Sequence, residues 1–197
     1  MEVVDSQTHP PHLFSVYSHT SPAAGDSVAH ASTVMRFVRV TALLIFAFWV
    51  WRYMRDTEPL LHGSLLIFHE AGHVLFMPFG EFMMVLGGSL FQLMVPAFFV
   101  ALFAIRRDGY AAAFASLYLA ASFAGVAIYI ADARAGELPL LGGERSNHDW
   151  TFLLIEMEML DQDTTIGWYV MRVGKLIFWA SLAAGGYFAW NYRSPAA

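Results

Sequence analysis

The sequence predicts an all-α, polytopic membrane bundle of about five transmembrane helices with one short re-entrant or interfacial helix. Three observations carry that prediction. The 197 residues are 57% hydrophobic and only 14% charged, against about 25% charged in a soluble domain. The apolar residues are gathered into runs near the roughly 20 residues that a bilayer core requires. Charged residues stand at the ends of those runs, as with Arg52 and Arg55, or Arg106-Arg107-Asp108. Cysteine is absent, which excludes disulfides and thiolate metal sites and leaves His and carboxylates as donors for any metal. The net charge of −5, with no basic cluster, gives no footing for nucleic acid. The length suits a single membrane domain over 35–193 and no appended soluble one.

Taken in order, residues 1–34 read as a disordered polar tail, rich in Ser, Thr, Pro and His with no apolar period. Its histidines, His9, His12, His19 and His30, are too irregularly spaced to read as a metal tract. Met1 to Asp26 lacks the basic start and apolar core of a signal peptide. The first span is Met35 to Met54, an anchor with Trp49, Trp51 and Tyr53 as an aromatic belt. Its uncharged centre is short, and Arg36, Arg39, Arg52 and Arg55 can extend it by reaching to the headgroups. The second span, Leu60 to Phe79, is closed by Pro78 and Gly80.

The third, Phe82 to Ile105, carries no charge, and its one polar or backbone-opening stripe is Gly88, Gln92 and Pro96. That stripe suits helix packing or substrate contact. The fourth, Tyr110 to Ala131, repeats Ala112, Ser116, Ala120 and Ala124 every four residues, a face for tight helix contact. A polar insertion follows over 132–163. It opens as a Gly-rich loop with Pro139 and continues as a short amphipathic helix through Trp150, Leu153, Leu154, Met157 and Leu160. Ser146 or Asn147 is placed to cap it. The last span is Ile166 to Trp190, with Gly185-Gly186 as a close-packing point. Five spans would put the termini on opposite faces, and the arginines do not fix the orientation.

Chemistry concentrates in the second span. His69-Glu70-Ala71-Gly72-His73 matches H-E-x-x-H. Four residues make about one helical turn, so both imidazoles can converge on one zinc ion. Glu70, next to the first histidine, can serve as general base to a metal-bound water. Glu70 is the only Asp, Glu, Lys or Arg between Leu60 and Phe79. An acid at membrane depth costs about 2.5–3.5 kcal/mol on insertion scales, which argues for function over simple interhelical hydrogen bonding. His62 falls on the same line of the helix, but seven residues is roughly 10 Å along the axis. It reads as an interface histidine or a wet residue on a water path with Gln92, and not as a ligand.

With HEAGH in a membrane helix and GGSLFQLMVP at 87–96 on the next, the chain resembles the site-2 protease family. These are intramembrane zinc metallopeptidases, and the resemblance covers about Leu60 to Asp161. It implies zinc held by His69 and His73, Glu70 as catalytic acid and base, and cleavage of peptide bonds in or beside membrane-spanning substrates. The implied partners are a membrane-anchored protein substrate and the lipid bilayer, with a bacterial cytoplasmic membrane as the expected location. The family's third ligand is an aspartate within an Asn-x-x-Pro-x-Pro-x-Leu-Asp-Gly pattern that this sequence lacks. Among the polar residues after the fourth span, Asp149 ranks first as third ligand, His148 is the alternative, and Asp161 comes last. His₂-carboxylate is a known catalytic zinc set, and the resemblance calls for an aspartate. Two other readings use the same residues: a membrane metal-binding or transport protein, and an inactive scaffold that binds transmembrane helices.

Overall fold

A computed structural model describes residues 22–56, 59–138 and 148–192. Among them the chain is helical, without strands. The helices are α1 (Pro22–Tyr53), α2 (Pro59–Phe76), α3 (Glu81–Ile105), α4 (Gly109–Ala131), α5 (Asp149–Glu156) and α6 (Asp163–Trp190). The helix of α1 begins at Pro22, well ahead of the Met35 expected from hydropathy. Pro fits a first helical turn, where its missing N–H has no partner to lose, and the Ala residues that follow favour helix. His9, His12 and His19 lie outside the described residues, as do Ser146 and Asn147.

Among the described residues, four helices are long and apolar enough to cross a membrane: α1 from His30, α2 with its terminal turn, α3 and α4. The fifth expected span, α6, falls short of them. Gly, Trp and Tyr dilute its apolarity, and Arg172 and Lys175 interrupt it. The packing is that of a bundle in lipid. Large apolar side chains such as Phe48, Ile67, Phe98, Ile105 and Leu176 face outward, while Ala120, Ala121, Ala124 and Ala127 fill the centre. Small residues let backbones approach closely where no hydrophobic force drives helices together.

α4 is the central helix. On α6, a Cβ at Gly167 would fall 2.7 Å from the Ala127 carbonyl oxygen, and one at Gly174 3.2 Å from that of Ala120. Leu43 of α1 packs where a Cβ at Gly185 would stand, and Phe46 stacks on Phe114 at 4.4 Å. The face of Ala120 and Ala124 read from the sequence is therefore a buried helix contact. The two glycines that answer it from α6, Gly167 and Gly174, were not singled out by the sequence pattern.

Contacts along the helices fix their directions. The Tyr110 hydroxyl donates to the Arg39 carbonyl, and the Tyr53 hydroxyl lies where a Cβ of Gly125 would be, so α1 runs parallel to α4. Ser64 meets Tyr118 and His69 meets Tyr129, so α2 runs the same way. α3 and α6 run opposite, with Gln92 against Ser122 and Gly167 against Ala127. The link from Tyr53 to Pro59 can span at most about 20 Å, less than the roughly 30 Å core. Two parallel helices so joined cannot both complete a crossing. At the far end, Arg36 Nε donates to the Tyr192 carbonyl at 2.9 Å, and the Arg39 guanidinium lies 4.0 Å from the centre of the Tyr192 ring. The start of the apolar part of α1 and the end of α6 thus share one end of the bundle. Among the described residues, four candidate crossing helices are supported in place of the expected five.

Candidate metal centre

α2 and α3 lie in antiparallel contact through three glycines. The Cβ that Gly72 lacks would run into the Gly87 carbonyl, and that of Gly87 would lie 2.8 Å from the Gly72 oxygen. Backbone can approach backbone here because neither helix has a side chain in the way. α2 then ends at Phe76 and passes through a 3₁₀ turn at Met77–Phe79 containing Pro78. Gly80, at φ +94°, makes the reversal into α3, a conformation open to glycine and strained for other residues.

That contact sets His69 and His73 against the buried stripe of α3, which consists of Gly87, Gly88, Ser89, Gln92 and Pro96. A Cβ on Gly88 would stand 2.7 Å from His69 Nε2 and 2.8 Å from His73 Nε2. The two imidazoles converge where Gly88 lacks a Cβ. The third group arrives from the polar insertion. Asp149 Oδ2 lies 2.8 Å from His69 Nε2 and 3.2 Å from His73 Nε2. One ligand atom from each of the three residues fits within a mutual separation of 4.8 Å.

Asp149 is held there by α5, which docks as its apolar pattern requires. Leu153 and Leu154 are fully buried, and Trp150 Nε1 donates to Ser89 Oγ at 3.0 Å. The Asp149 N–H donates to the Tyr129 hydroxyl at 3.2 Å, and the Thr151 hydroxyl donates to the Ala133 carbonyl. The helix cap is His148, whose Nδ1 accepts from the Thr151 N–H at 3.3 Å, in place of the expected Ser146 or Asn147. Its Nε2 points at Asp132, 3.4 Å away. The alternative ligand is thereby occupied as a cap, and Asp149 is released from that role.

The protonation pattern of the three residues is unusual. His69 Nδ1 faces Gln92 Oε1 at 3.2 Å, and His73 Nδ1 faces the Met84 carbonyl at 2.9 Å. Both Nδ1 atoms thus carry protons to donate. In a neutral imidazole the Nε2 atoms are then bare lone pairs, and both are aimed at a carboxylate. Lone pairs against an anion are repulsive. The arrangement is satisfied by extra protons on the histidines or by a cation among the three groups. Burial pushes the Asp149 carboxyl up, but hydrogen bonds from His69 and then His73 outweigh it and hold it down to about 2. Burial pushes the His148 imidazole below its ordinary value, and Asp132 only partly offsets it.

The remaining sequence candidates separate. Glu70 is exposed beside the site and makes no hydrogen bond or ion pair among the described residues. Gln92 is buried against His69, with both ends of its amide engaged. His62 faces Tyr53, ring centres 6.4 Å apart, and takes no part in the cluster. Asp161 is exposed on the 3₁₀ turn at Leu160–Gln162. Tyr129 was not anticipated. Its ring stands edge-on to His69 at 5.6 Å and packs on His148 at 4.3 Å. In the sequence Tyr129 is only a tyrosine near the end of the fourth span, a common place for an interfacial aromatic.

Comparison with family models, curated proteins and solved structures finds no match. Function has to be read from the geometry of the site.

Proposed function

We propose that the chain is an intramembrane zinc metalloprotease that hydrolyses peptide bonds in or near membrane-spanning segments of protein substrates. The observation that carries this reading is the convergence of two histidine Nε2 atoms and the Asp149 carboxylate on one point, with both Nδ1 atoms already committed to acceptors. Tetrahedral zinc with bonds of 2.0–2.2 Å wants neighbouring ligand atoms about 3.3 Å apart. Asp149 Oδ2 lies 2.8 and 3.2 Å from the two Nε2 atoms, and all three ligand atoms lie within 4.8 Å of one another. Three protein ligands with the fourth position open is the catalytic form of such a site.

Zinc bound there would polarise a substrate carbonyl and acidify a water. Glu70 follows His69 directly on α2 and is free of other partners among the described residues. It takes the proton of the attacking water and passes it to the leaving amine nitrogen. Trp150 and Tyr129 keep Asp149 in place through the cycle. Gly88, lacking a Cβ, lets both imidazoles sit against the α3 backbone. A substrate helix has to unwind locally, because its peptide carbonyls are otherwise engaged in their own hydrogen bonds.

The test uses purified full-length protein in detergent. Stoichiometric zinc is expected, together with cleavage of some members of a panel of membrane-anchored peptides. Glu70→Gln should keep the zinc and lower turnover about 10²–10⁴-fold. Full activity in that variant would sink the mechanism. Zinc binding without cleavage, with metal crossing vesicle membranes in both wild type and Glu70→Gln, would make the protein a transporter. Absence of bound zinc would leave a helix-binding scaffold.

A further inference from the structure

His69 and His73 are oriented by different means. His73 Nδ1 donates to the main-chain carbonyl of Met84, a partner that no substitution at that position removes. His69 Nδ1 faces a side chain, Gln92 Oε1, at 3.2 Å. Both His69 and Gln92 are only 5% exposed, so no water can readily replace either partner. The other end of the amide settles which way round it sits. Gln92 Nε2 donates to the Ser122 carbonyl on α4 at 3.3 Å, and a carbonyl can only accept. With the NH₂ group fixed on α4, the oxygen must face His69, and His69 must present Nδ1–H to it. Space for the amide is provided by Gly125, where a Cβ would stand 3.0 Å from Gln92 Nε2 and 2.7 Å from the Tyr53 hydroxyl.

We infer that Gln92 is a positioning residue for the metal centre, holding the His69 ring so that Nε2, and not Nδ1, is the ligand atom presented to the metal. The inference rests on the metal-binding reading of His69. Partners that hold the far nitrogen of a ligating histidine fix its tautomer and ring orientation, and their loss costs about 10–100-fold in affinity or activity. Gln92 also ties α3 to α4 through Ser122, so a merely structural role is the competing explanation. The two ends of the amide allow these roles to be separated.

Gln92→Glu keeps an acceptor oxygen for His69 Nδ1 but sets a second oxygen against the Ser122 carbonyl. Gln92→Met keeps the length and removes both functions. Gly125→Ala leaves Gln92 in place and crowds its amide. Zinc affinity is measured by chelator competition, thermal stability on the metal-free protein, and the His69 Nδ1–H proton by ¹⁵N-edited NMR. Positioning predicts about 10–100-fold weaker zinc binding for Gln92→Met and for folded Gly125→Ala. It predicts affinity within about threefold of wild type for Gln92→Glu, even though that variant melts lower. Equal affinity in Gln92→Met and wild type, or equal weakening in the Met and Glu variants, would overturn it. If the wild-type protein binds no zinc, the metal reading falls and the proton signal decides Gln92 alone. A hydrogen-bonded Nδ1–H present in wild type and lost in Gln92→Met supports the orienting contact, and an unchanged signal refutes it.

Discussion

Two helix contacts in this bundle use the same device for different ends. α2 meets α3 at Gly72, Gly87 and Gly88, and α6 meets α4 at Gly167 and Gly174. In both, a missing Cβ lets backbone come against backbone. Around Gly167 and Gly174 the neighbours are backbone and Cβ atoms of α4, from Ala120, Phe123, Ala124, Ala127 and Ala131. At Gly88 the neighbours are His69 Nε2 and His73 Nε2, so the missing Cβ lets two candidate ligand atoms come against the backbone. Close approach in a membrane bundle therefore serves stability when small apolar groups line it. It serves chemistry when it brings ligand atoms to a common point. What separates the two is which side chains flank the glycine, since the backbone arrangement is shared.

The sharpest way to break that comparison is to add one methyl group at each contact. Gly88→Ala puts a carbon within 2.8 Å of both Nε2 atoms, and zinc affinity should fall by more than about 100-fold. Gly174→Ala should leave zinc affinity unchanged and lower the melting temperature in detergent. If both variants bind zinc equally, the missing Cβ at Gly88 has no special role. On the packing side alone, Ala120→Leu forces bulk into a fully buried site facing α6 and should cost about 1–3 kcal/mol. An unchanged melting temperature would mean that this face yields without strain.

Acid should expose a further difference of about 2 kcal/mol. The Asp149 carboxyl is held at about 2 in the fold, below its ordinary 3.8. As pH falls from 4 towards 2, the unfolded chain takes up this proton first, so metal-free protein loses this contribution to stability across that window. Asp149→Asn should flatten that part of the profile, whereas Gly174→Ala should shift the whole profile without changing its slope. The remaining acid slope in Asp149→Asn measures other carboxylates such as Asp163, which the Arg134 guanidinium holds below its usual range. The smallest effect belongs to His62→Gln. His62 faces Tyr53 and not the cluster, so zinc affinity should stay within about twofold of wild type.

Much of the bundle could be read from local pattern. The apolar runs locate α3 and α4 to within a residue and α2 to within three, because a bilayer demands length and apolarity from each helix separately. The stripe Gly88, Gln92, Pro96 and the small face of α4 were visible because helical period is local. α6 was harder to classify, since Gly167 and Gly174 serve its packing on α4 and Arg172 and Lys175 interrupt its apolar run. The parallel course of α1 and α2 was not legible. Hydropathy measures whether a segment suits lipid and carries no information about direction.

By itself the sequence determined that this is a helical membrane bundle and that two histidines one turn apart stand beside an acid. Those are properties of composition and of the 3.6-residue period. Only the tertiary structure decided what faces the histidines. Asp149 comes from eighty residues away, and it reaches Nε2 because Trp150 docks on Ser89, Tyr129 accepts its N–H and His148 takes over the cap. Gln92 orients His69 because its far end is tied to α4. A site built where four helices meet depends on distances between segments, and helical period within any one segment does not encode them.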